Sequence, residues 1–490
     1  MDKLKLYTSI VPNHRQKIVQ EMKFYAFVHF TINTFTGKEW GNGKESPSIF
    51  NPSDLDTDHW CKAIKDGGME GVVLTCKHHD GFCLWQTATT EHSVKNSPYK
   101  NGKGDLVAEL AESCKKYNLK LGVYLSPWDR NSIYYSTDKY MDFYIAQLTE
   151  LLTNYGEIFM LWLDGACGAQ SDGKTPQVYD FDRIYSTALK LQPNIALSNC
   201  APDIRWVGNE SGVSRKSEWN VVPVFDYGAQ NIVTASQQDD NAVKFKKRCV
   251  DVMVQDMGSR EFLSKYEKFM WYPAEVDVSI RPGWFYHSWQ NFAVRSVNNL
   301  MKIYYNAVGG NTLLLLNIPP DKKGKFNKTD VERLAKIGKW IKKEAELIIE
   351  NCSFSTTDTA KSGFEIDNLL EDKTYSPALV NDKYSITVSF NKTSIDRVTL
   401  REDTDYSQRI EKFHLYSIIE NKKTTLYKGT VIGFNKIAIF EPVVTDNLTL
   451  EITECRLEPY LNYFKVHNIG AYRPQKTLKD NIKELFRREK

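Results

Sequence analysis

The feature that most constrains the fold is a series of short, almost uninterrupted apolar runs in the N-terminal part of the chain. The runs cover residues 24–30, 71–76, 119–126, 158–164, 195–199 and 312–317. Segments with apolar residues at helical spacing, such as residues 105–116 and 138–154, lie between them. Parallel strands buried on both faces give such runs. Because no glycine-rich phosphate motif follows the first strand, the pattern favours a (β/α)8-like TIM barrel over an open doubly wound sheet.

The sequence pattern changes near residue 345. After a predicted helix over residues 330–350, four stretches alternate apolar and polar residues: 384–390, 397–401, 412–416 and 448–453. Such alternation is typical of antiparallel strands with one buried face. We therefore predict a barrel domain over residues 1–345 and a C-terminal antiparallel β-sandwich over residues 346–490. A short charged tail ends the chain, with Leu478, Ile482, Leu485 and Phe486 at the spacing of a surface helix.

Composition excludes several classes of function. The 490 residues carry 64 Lys and Arg against 61 Asp and Glu, so nucleic acid is not an expected partner. The nine cysteines show neither the CxxC pairs of a zinc site nor the density of a disulfide scaffold. No apolar run reaches the length of a signal peptide or a membrane span. We expect a soluble chain, either cytoplasmic or exported with its signal removed, with no cofactor.

Polar and aromatic residues follow the predicted strands, at the edge where barrel enzymes carry their chemistry. They are His29, Glu39, Trp40, Lys77, His78, His79, Asp80, Tyr124, Asp164, Arg205, Glu210, Glu275, Asp277 and Trp284. Such a mixture of hydrogen-bonding groups and aromatic faces suits a sugar ring.

A glycosidase needs two carboxyl groups across the scissile bond, and two residues are candidates. Asp164 ends an apolar strand, where an ionised carboxylate is costly unless it is paired or functional. It is a candidate nucleophile, and the cap of the next helix is its structural alternative. Glu210 lies in a Gly-Asn-Glu-Ser-Gly loop that could present it as the acid, although a solvated loop residue is the simpler interpretation.

Two other functions stay open at this point. The adjacent histidines of KHHDGF could belong to a metal-dependent hydrolase that uses His78, His79 and Asp80. Adjacent strand side chains point to opposite faces and no spaced third ligand is present, so we expect no metal. The chain could also be a non-catalytic glycan-binding protein that kept the pocket. The presence of both Asp164 and Glu210 favours catalysis.

Six motifs follow one another along the predicted barrel. They are VHFTINTF, GVVLTCKHHDGFCLWQT, LGVYLSPWD, IFMLWLDGA, RWVGNESG and DVSIRPGWFYH. Together they resemble the α-L-fucosidases of glycoside hydrolase family 29. The RWVGNE and SIRPGWFYH blocks are further similar to the branch of that family that prefers α-1,3- and α-1,4-linked fucose on branched glycans.

The resemblance implies a retaining exo-α-L-fucosidase that releases terminal fucose from Lewis-type glycans through a covalent fucosyl-enzyme. Asp164 would be the nucleophile and Glu210 the acid/base, with Glu275 as the alternative. Fucose would be held by His29, Glu39, Trp40, His78, His79 and Tyr124, with Arg205 and Trp284 as further contacts. The expected partner is a fucosylated oligosaccharide or glycoconjugate. A broader enzyme that also acts on α-1,2-linked or aryl fucosides is the alternative, and the sandwich could bind carbohydrate or support the barrel.

Overall fold

A closed barrel of eight parallel strands forms the N-terminal part of the structure, a computed structural model that describes residues 3–168, 177–224 and 256–470. The strands up to the end of the barrel are β1 (Phe24–Val28), β2 (Gly71–Lys77), β3 (Lys120–Leu125), β4 (Ile158–Leu163), β5 (Ala196–Asn199), β6 (Ile204–Trp206), β7 (Val221–Pro223), β8 (Phe269–Trp271), β9 (Ala274–Ser279) and β10 (Leu313–Asn317). The barrel order is β1-β10-β9-β6-β5-β4-β3-β2, and β7 pairs with β8 in a small separate sheet. The predicted barrel is confirmed.

Two barrel strands, β6 and β9, were not predicted as strands. β6 has only three residues. β9 is fully buried, yet Glu275 and Asp277 alternate along it with valines, so it does not read as an apolar run. Residues 200–203 alone separate β5 from β6, which leaves no room for a helix between these two strands. The architecture is therefore barrel-like rather than a regular repeat of strand and helix.

Helices precede β1, lie between several of the later strands and follow β10. They are α1 (Lys3–Thr8), α2 (His14–Met22), α3 (Ile32–Thr36), α4 (Thr57–Asp66), α5 (Leu106–Tyr117), α6 (Tyr140–Asn154), α7 (Phe181–Leu191), α8 (Arg260–Leu263), α9 (Val297–Ala307) and α10 (Lys328–Glu346). The three predicted helices match α5, α6 and α10. The side chain of Asp105, predicted as the first residue of α5, instead caps that helix by accepting a hydrogen bond from the Ala108 N–H.

Apolar side chains pack on both faces of the barrel sheet. Inside the barrel, Tyr25, Tyr124, Trp162 and Leu313 belong to one buried cluster. On the outside, alternate residues of the same strands pack against the helices in a second cluster, including Ala26, Val72, Val123, Leu161 and Val276. Burying one such large side chain contributes about 1.5–3 kcal/mol. This double packing makes the strands a rigid base for the residues at their carboxyl ends.

Six antiparallel strands follow α10. They are β11 (Ser353–Thr356), β12 (Tyr384–Glu402), β13 (Ile410–Ile419), β14 (Lys422–Gly429), β15 (Lys436–Cys455) and β16 (Leu461–His467). Their order is β11-β12-β15-β13-β14, and β16 pairs with β12. The β12–β15 register shifts between Ser389 and Thr393, which bends the sheet. One apolar cluster includes Ile386 and Leu400 from opposite halves of β12. The predicted C-terminal antiparallel architecture is confirmed.

Two predicted strands of the C-terminal region, 384–390 and 397–401, are halves of one long strand, β12. The polar residues between them resemble a turn in the sequence but form the irregular stretch of the β12–β15 pairing. The predicted terminal helix, with Leu478 and Phe486, lies outside the described residues. Within the part of the chain that the structure describes, no helix has the length and apolar character needed to cross a membrane.

Candidate active site

Four neighbouring barrel strands bring polar side chains together at their carboxyl ends. His29 follows β1, His78 and His79 follow β2, Tyr124 lies near the end of β3, and Asp164 follows β4. The ring centres of His78 and His79 are 4.1 Å apart, and those of His29 and His78 are 5.7 Å apart. β2 ends at Lys77, so His78 and His79 lie beyond the strand. Their side chains therefore need not point to opposite faces of the sheet, as adjacent side chains within a strand do. Both therefore contribute to one pocket.

Asp164 is held by two neutral donors. The hydroxyl of Tyr124 donates to Oδ2 at 3.0 Å, and the backbone N–H of Ala166 donates to Oδ1 at 2.8 Å. The His79 Nε2 atom lies 3.8 Å from Oδ2, and the Asp164 side chain is 26% exposed. Asp164 does not cap the next helix, since α7 is capped by Asp180. A partly open, oriented carboxylate therefore faces the pocket.

The hydrogen bonds around His29 define its tautomer. Both N–H groups of the Asn317 amide are used, donating to Ser279 Oγ at 3.0 Å and to the Trp284 carbonyl at 2.9 Å. The amide oxygen of Asn317 is then an acceptor, and His29 donates to it from Nδ1 at 2.9 Å. The Nε2 atom of a neutral His29 is left as a hydrogen-bond acceptor.

A similar network orients His79, and a weaker contact lies beside His78. The Ser126 hydroxyl donates to the Trp128 carbonyl at 2.8 Å, so it accepts from His79 Nδ1 at 2.7 Å. The Nε2 atom of neutral His79, which faces Asp164, is again an acceptor. On His78, Nδ1 lies 3.5 Å from the amide nitrogen of Asn33, a longer contact. The pocket thus offers imidazole acceptors beside the carboxylate.

Burial keeps these three imidazoles neutral. Loss of solvation lowers the pKa of His29 to about 3. The pKa of His78 lies well below its usual range because of burial and of the two neighbouring imidazoles. Burial also lowers the pKa of His79, although the Asp164 carboxylate opposes this shift. Near neutral pH the histidines are hydrogen-bonding groups rather than charges.

Because His29 is neutral in the folded chain, we expect its contribution to the free energy of unfolding to decrease in acid. The pKa of His29 is about 3 in the folded chain and about 6.5 when unfolded, so unfolding takes up a proton between these pH values. The contribution of His29 to the free energy of unfolding should therefore fall as the pH drops below about 6.5 and stay constant above it. Between about pH 3 and 6.5, the pH slope of the free energy of unfolding in His29→Asn should be lower than that of the wild type by up to about 1.4 kcal/mol per pH unit.

Denaturant unfolding at several pH values measures this slope. His14→Asn is the matched control, because His14 is exposed at the start of α2. Its slope should equal that of the wild type. A His29→Asn slope that also equals the wild-type slope would contradict a buried neutral imidazole at this position.

Glu39 and Trp284 form one wall of the pocket. The backbone N–H of Trp284 donates to Glu39 Oε2 at 2.8 Å, and His287 Nε2 lies 3.4 Å from Oε1. The Trp284 ring centre is 5.1 Å from that of His29. The structure therefore brings both predicted residues to the histidine group, although they come from loops after β1 and β9.

Trp40 lies at the rim of the same pocket. Its ring centre is 6.2 Å from that of His79 and 5.9 Å from that of Trp128. The Trp40 residue is 40% exposed. An indole half open to solvent beside buried imidazoles is suited to cover the apolar side of a bound ring.

Glu210 lies in the loop after β6 and is half-buried. β6 is two positions from β4 in the barrel order, on the side of β9. Burial, and then the charge of Glu210, raise the pKa of the Asp277 carboxyl well above its usual range. Asp277 faces the barrel interior and accepts a hydrogen bond from Trp206 Nε1 at 2.7 Å. The structure thus places the predicted acid within electrostatic range of a second, buried carboxyl group.

Glu275, the predicted alternative acid/base, lies deeper in the barrel. It is 1% exposed and precedes Asp277 by two residues, so it faces the same interior lower on β9. Its carboxylate accepts hydrogen bonds from Trp162 Nε1 at 2.7 Å, from Ser198 Oγ at 3.3 Å and from the Tyr25 hydroxyl. Burial raises the pKa of Glu275 to about 7. This placement argues against an acid/base role, because the carboxyl group is enclosed below the pocket.

Arg205 is not brought to the pocket. Its guanidinium group pairs with buried Glu218 and donates to the carbonyl oxygens of Trp219 and Tyr272, each at 2.9 Å. The following residue, Trp206, faces the barrel interior, so Arg205 points outward on β6. The predicted sugar contact is corrected to a buried ion pair outside the barrel.

His78, His79 and Asp80 do not converge as metal ligands. Asp80 Oδ1 accepts the backbone N–H of Phe82 at 2.7 Å, which makes Asp80 a turn residue. Lys77 points elsewhere and pairs with Asp129 at 3.0 Å. Among residues 3–168, 177–224 and 256–470, no group of three or more His, Cys, Asp or Glu side chains is arranged to hold a metal ion.

Two residues of the site, Asn317 and Ser126, were not identified from the sequence; they fix the tautomers of His29 and His79. Asp277 was among the polar residues near predicted strand ends, but its interaction with the charge of Glu210 was not predicted. Asn317 ends the apolar run LLLLN and Ser126 follows the run LGVYL, so both stand at predicted strand ends. Their position at a strand end could therefore be recognised in the sequence, but the hydrogen-bond partner of each side chain could not.

The comparisons with known proteins agree with this geometry. A family model described as alpha-L-fucosidase matches residues 7–346. Alpha-L-fucosidase 1 of Arabidopsis thaliana is 36% identical over 474 residues, covering 93% of this chain and 87% of the relative. A glycoside hydrolase 29 family member from an unknown rumen bacterium shares 33% identity with a TM-score of 0.78, over 96% of this chain and 78% of that one.

A GH29 fucosidase of Ruminococcus gnavus, solved in complex with fucose, has a TM-score of 0.80. It is 26% identical, and the match covers 94% of this chain and 96% of that chain. The barrel, the strand-end pocket and the family model converge on one assignment. The chain belongs to the α-L-fucosidase family of glycoside hydrolases, GH29.

Proposed function

We propose that the chain is a retaining exo-α-L-fucosidase that releases terminal L-fucose through a covalent fucosyl-enzyme. The observation that carries this proposal is the Asp164 carboxylate, 26% exposed and held at 3.0 Å by the Tyr124 hydroxyl beside three neutral imidazoles. Both direct donors to this carboxylate are uncharged, so its negative charge remains available to the substrate. A site of this kind suits attack on an anomeric carbon.

Asp164 and Glu210 divide the chemistry. Asp164 forms a bond to the anomeric carbon while the glycosidic bond breaks, and Glu210 gives its proton to the leaving oxygen. Glu210 then takes a proton from water as that water attacks the anomeric carbon and frees Asp164. The charge of Glu210 raises the pKa of the buried Asp277 carboxyl, so the proposed acid/base has a second carboxyl group close enough to interact with it.

The neutral histidines hold the sugar. The Nε2 atoms of His29 and His79 are acceptors, so each can take a hydrogen bond from a fucose hydroxyl. Glu39 offers a carboxylate to the same ring, while Trp40 and Trp284 offer aromatic faces to its C–H side. Imidazole and carboxylate acceptors together with aromatic faces suit an uncharged ligand that carries several hydroxyl groups.

We propose that the C-terminal sheet supports the barrel through buried contacts between the two. Arg397 of β12 is fully buried and donates to the hydroxyl of Tyr305, which in turn donates to Glu344 Oε2 at 2.8 Å. Ile437 of β15 belongs to the outer cluster of the barrel. We therefore assign residues 1–345 to the catalytic domain and residues 346–490 to a supporting β-sandwich.

The proposed linkage preference is based on the loop after β9. It presents Trp289 and Phe292 with exposures of 62% and 86%. The His287 ring, which contacts Glu39, lies 5.9 Å from that of Trp289. This loop stands between the Glu210 loop and the Glu39 loop in the barrel order. The exposed aromatic rings can stack on the remainder of a branched glycan, which supports a preference for α-1,3- or α-1,4-linked fucose.

Fucose release from three substrates tests this function. We expect Lewis-type trisaccharides to be cleaved with a kcat/KM at least about tenfold higher than 2′-fucosyllactose, with an aryl fucoside also cleaved. Trp289→Ala should lower kcat/KM about fivefold on the trisaccharide, since one aromatic stack contributes about 1 kcal/mol. The same variant should leave the aryl fucoside unchanged. Activity confined to the 2′-linked substrate would contradict the linkage preference.

A further inference from the structure

Glu275 is a buried carboxylate that the proposed chemistry does not use. Donors from β1, β4 and β5 converge on it: the Tyr25 hydroxyl, the Trp162 indole N–H and the Ser198 hydroxyl. Both carboxylate oxygens accept hydrogen bonds, so three strands of the barrel are joined through one side chain below the pocket. A buried carboxyl group is costly, and a purely apolar residue would fill the barrel interior without that cost.

One of these donors connects Glu275 to the pocket. The Trp162 N–H donates to Glu275 Oε1 at 2.7 Å, and the Trp162 ring stacks on Tyr124 with centres 5.5 Å apart and an angle of 27°. The Tyr124 hydroxyl then donates to Asp164 Oδ2 at 3.0 Å. Glu275, Trp162, Tyr124 and Asp164 therefore form a continuous series of contacts from the barrel interior to the carboxylate.

The orientation of the indole ring decides where the Tyr124 hydroxyl lies. Trp162 is 5% exposed and lies against Phe27 as well as Tyr124. Glu275 accepts its single N–H, which fixes one orientation of the ring among the apolar neighbours. A displaced ring would move Tyr124 and its hydroxyl, and a shift of about 1 Å at a reacting group costs on the order of 100-fold in rate.

We propose that Glu275 is a positioning residue, which orients Trp162 so that Tyr124 holds the Asp164 carboxylate for attack. The proposal rests on the role of Asp164 as the nucleophile. Glu275 neither touches the substrate nor transfers a proton. It acts only through Trp162 and Tyr124, so its effect should disappear when the Tyr124 hydroxyl is absent.

A double-mutant cycle on the full chain tests this coupling. We expect Glu275→Leu to lower kcat on an aryl fucoside about tenfold with KM within about twofold, as for loss of one oriented hydrogen bond to a charged group. Tyr124→Phe should lower kcat at least as much. The double variant should lie within about twofold of Tyr124→Phe alone. Glu275→Gln keeps an acceptor for the indole N–H and should retain kcat within about threefold of the wild type.

Glu402 provides a matched control for the loss of a buried carboxylate. It lies in the C-terminal sheet and accepts backbone N–H groups of Arg409, Ile410 and Gly433 at 2.7, 2.8 and 2.6 Å. Burial raises its pKa to about 7, as it does for Glu275. Glu402→Leu should destabilise the fold but leave kcat per folded molecule unchanged.

Two results would overturn the proposal: unchanged kcat in folded Glu275→Leu, or a double variant whose loss is the product of the two single losses. If Glu275→Leu does not fold, Trp162→Phe replaces it in the cycle, because it removes the N–H and keeps a ring. The same assay separates this proposal from the proposed function. If the wild type is active, Asp164→Ala is inactive and the two single losses multiply in the double variant, only the positioning role of Glu275 is rejected. If the wild type itself is inactive, the positioning role and the proposed function are both rejected.

Discussion

Asp164→Ala is expected to lower kcat on an aryl fucoside by a factor on the order of 10⁴ or more, because the variant has no group that can form the covalent intermediate. The loss should fall on kcat, since the imidazoles that hold the sugar are unchanged. Asp180→Ala is the matched control. Asp180 caps α7 by accepting the Arg183 N–H at 2.9 Å, so its loss should cost about 1 kcal/mol of stability and leave kcat unchanged.

Azide distinguishes loss of the nucleophile from general damage to the site. In Asp164→Ala, the small cavity beside Tyr124 can admit azide, which should attack the anomeric carbon in place of the carboxylate. The expected product is a fucosyl azide of inverted configuration. A variant that kept more than about a tenth of the wild-type kcat would place the nucleophile elsewhere.

Glu210→Ala is expected to have the second largest effect, and the effect should depend on the leaving group. In a natural trisaccharide the leaving group is a sugar alcohol, which is a poor leaving group unless it is protonated. Loss of the acid should therefore lower turnover of the trisaccharide by about 10²- to 10⁴-fold. An activated aryl fucoside needs no protonation, and formation of its fucosyl-enzyme should change little. Azide should then restore turnover of the aryl fucoside and give a product of retained configuration, because Asp164 is still present.

The control for Glu210 lies lower in the same barrel. Glu275→Gln changes a carboxyl group that is 1% exposed, and it should not show this dependence on the leaving group. Near-full activity of Glu210→Ala on the trisaccharide would contradict the assignment. The acid/base would then move to Asp277, the carboxyl group whose pKa is raised in part by the charge of Glu210.

The barrel could be predicted because most of its strands are buried on both faces. β4 is apolar along its whole length, and β2 is apolar except for Thr75 and Lys77, which the sequence displays directly. β9 could not be recognised in this way, since its inward positions carry Glu275 and Asp277 and bind the indole groups of Trp162 and Trp206. Polar residues inside a barrel are compatible with a strand only when partners from other strands satisfy them, and those partners are distant in sequence.

The sequence predicted where most residues of the candidate site lie, but not the hydrogen bonds that orient them. His29, His78, His79, Tyr124 and Asp164 follow strands or lie at their ends, and the closed barrel brings them together. Arg205 also lies near a strand end, but strand alternation turns it outward. The tautomers of His29 and His79 depend on Asn317 and Ser126. These contacts join residues far apart in the chain, so spacing alone does not reveal them.

The most direct test of the account is to identify the residue that becomes covalently labelled by a fucosyl fluoride with an electron-withdrawing fluorine beside the anomeric carbon. Such a substituent destabilises the oxocarbenium-like transition state and slows release of the intermediate. Digestion and mass spectrometry then locate the sugar. We predict one fucosyl group on Asp164, in the peptide that spans β4 and the residues after it. A label on any other residue, or turnover that yields the inverted anomer without a label, would contradict the account.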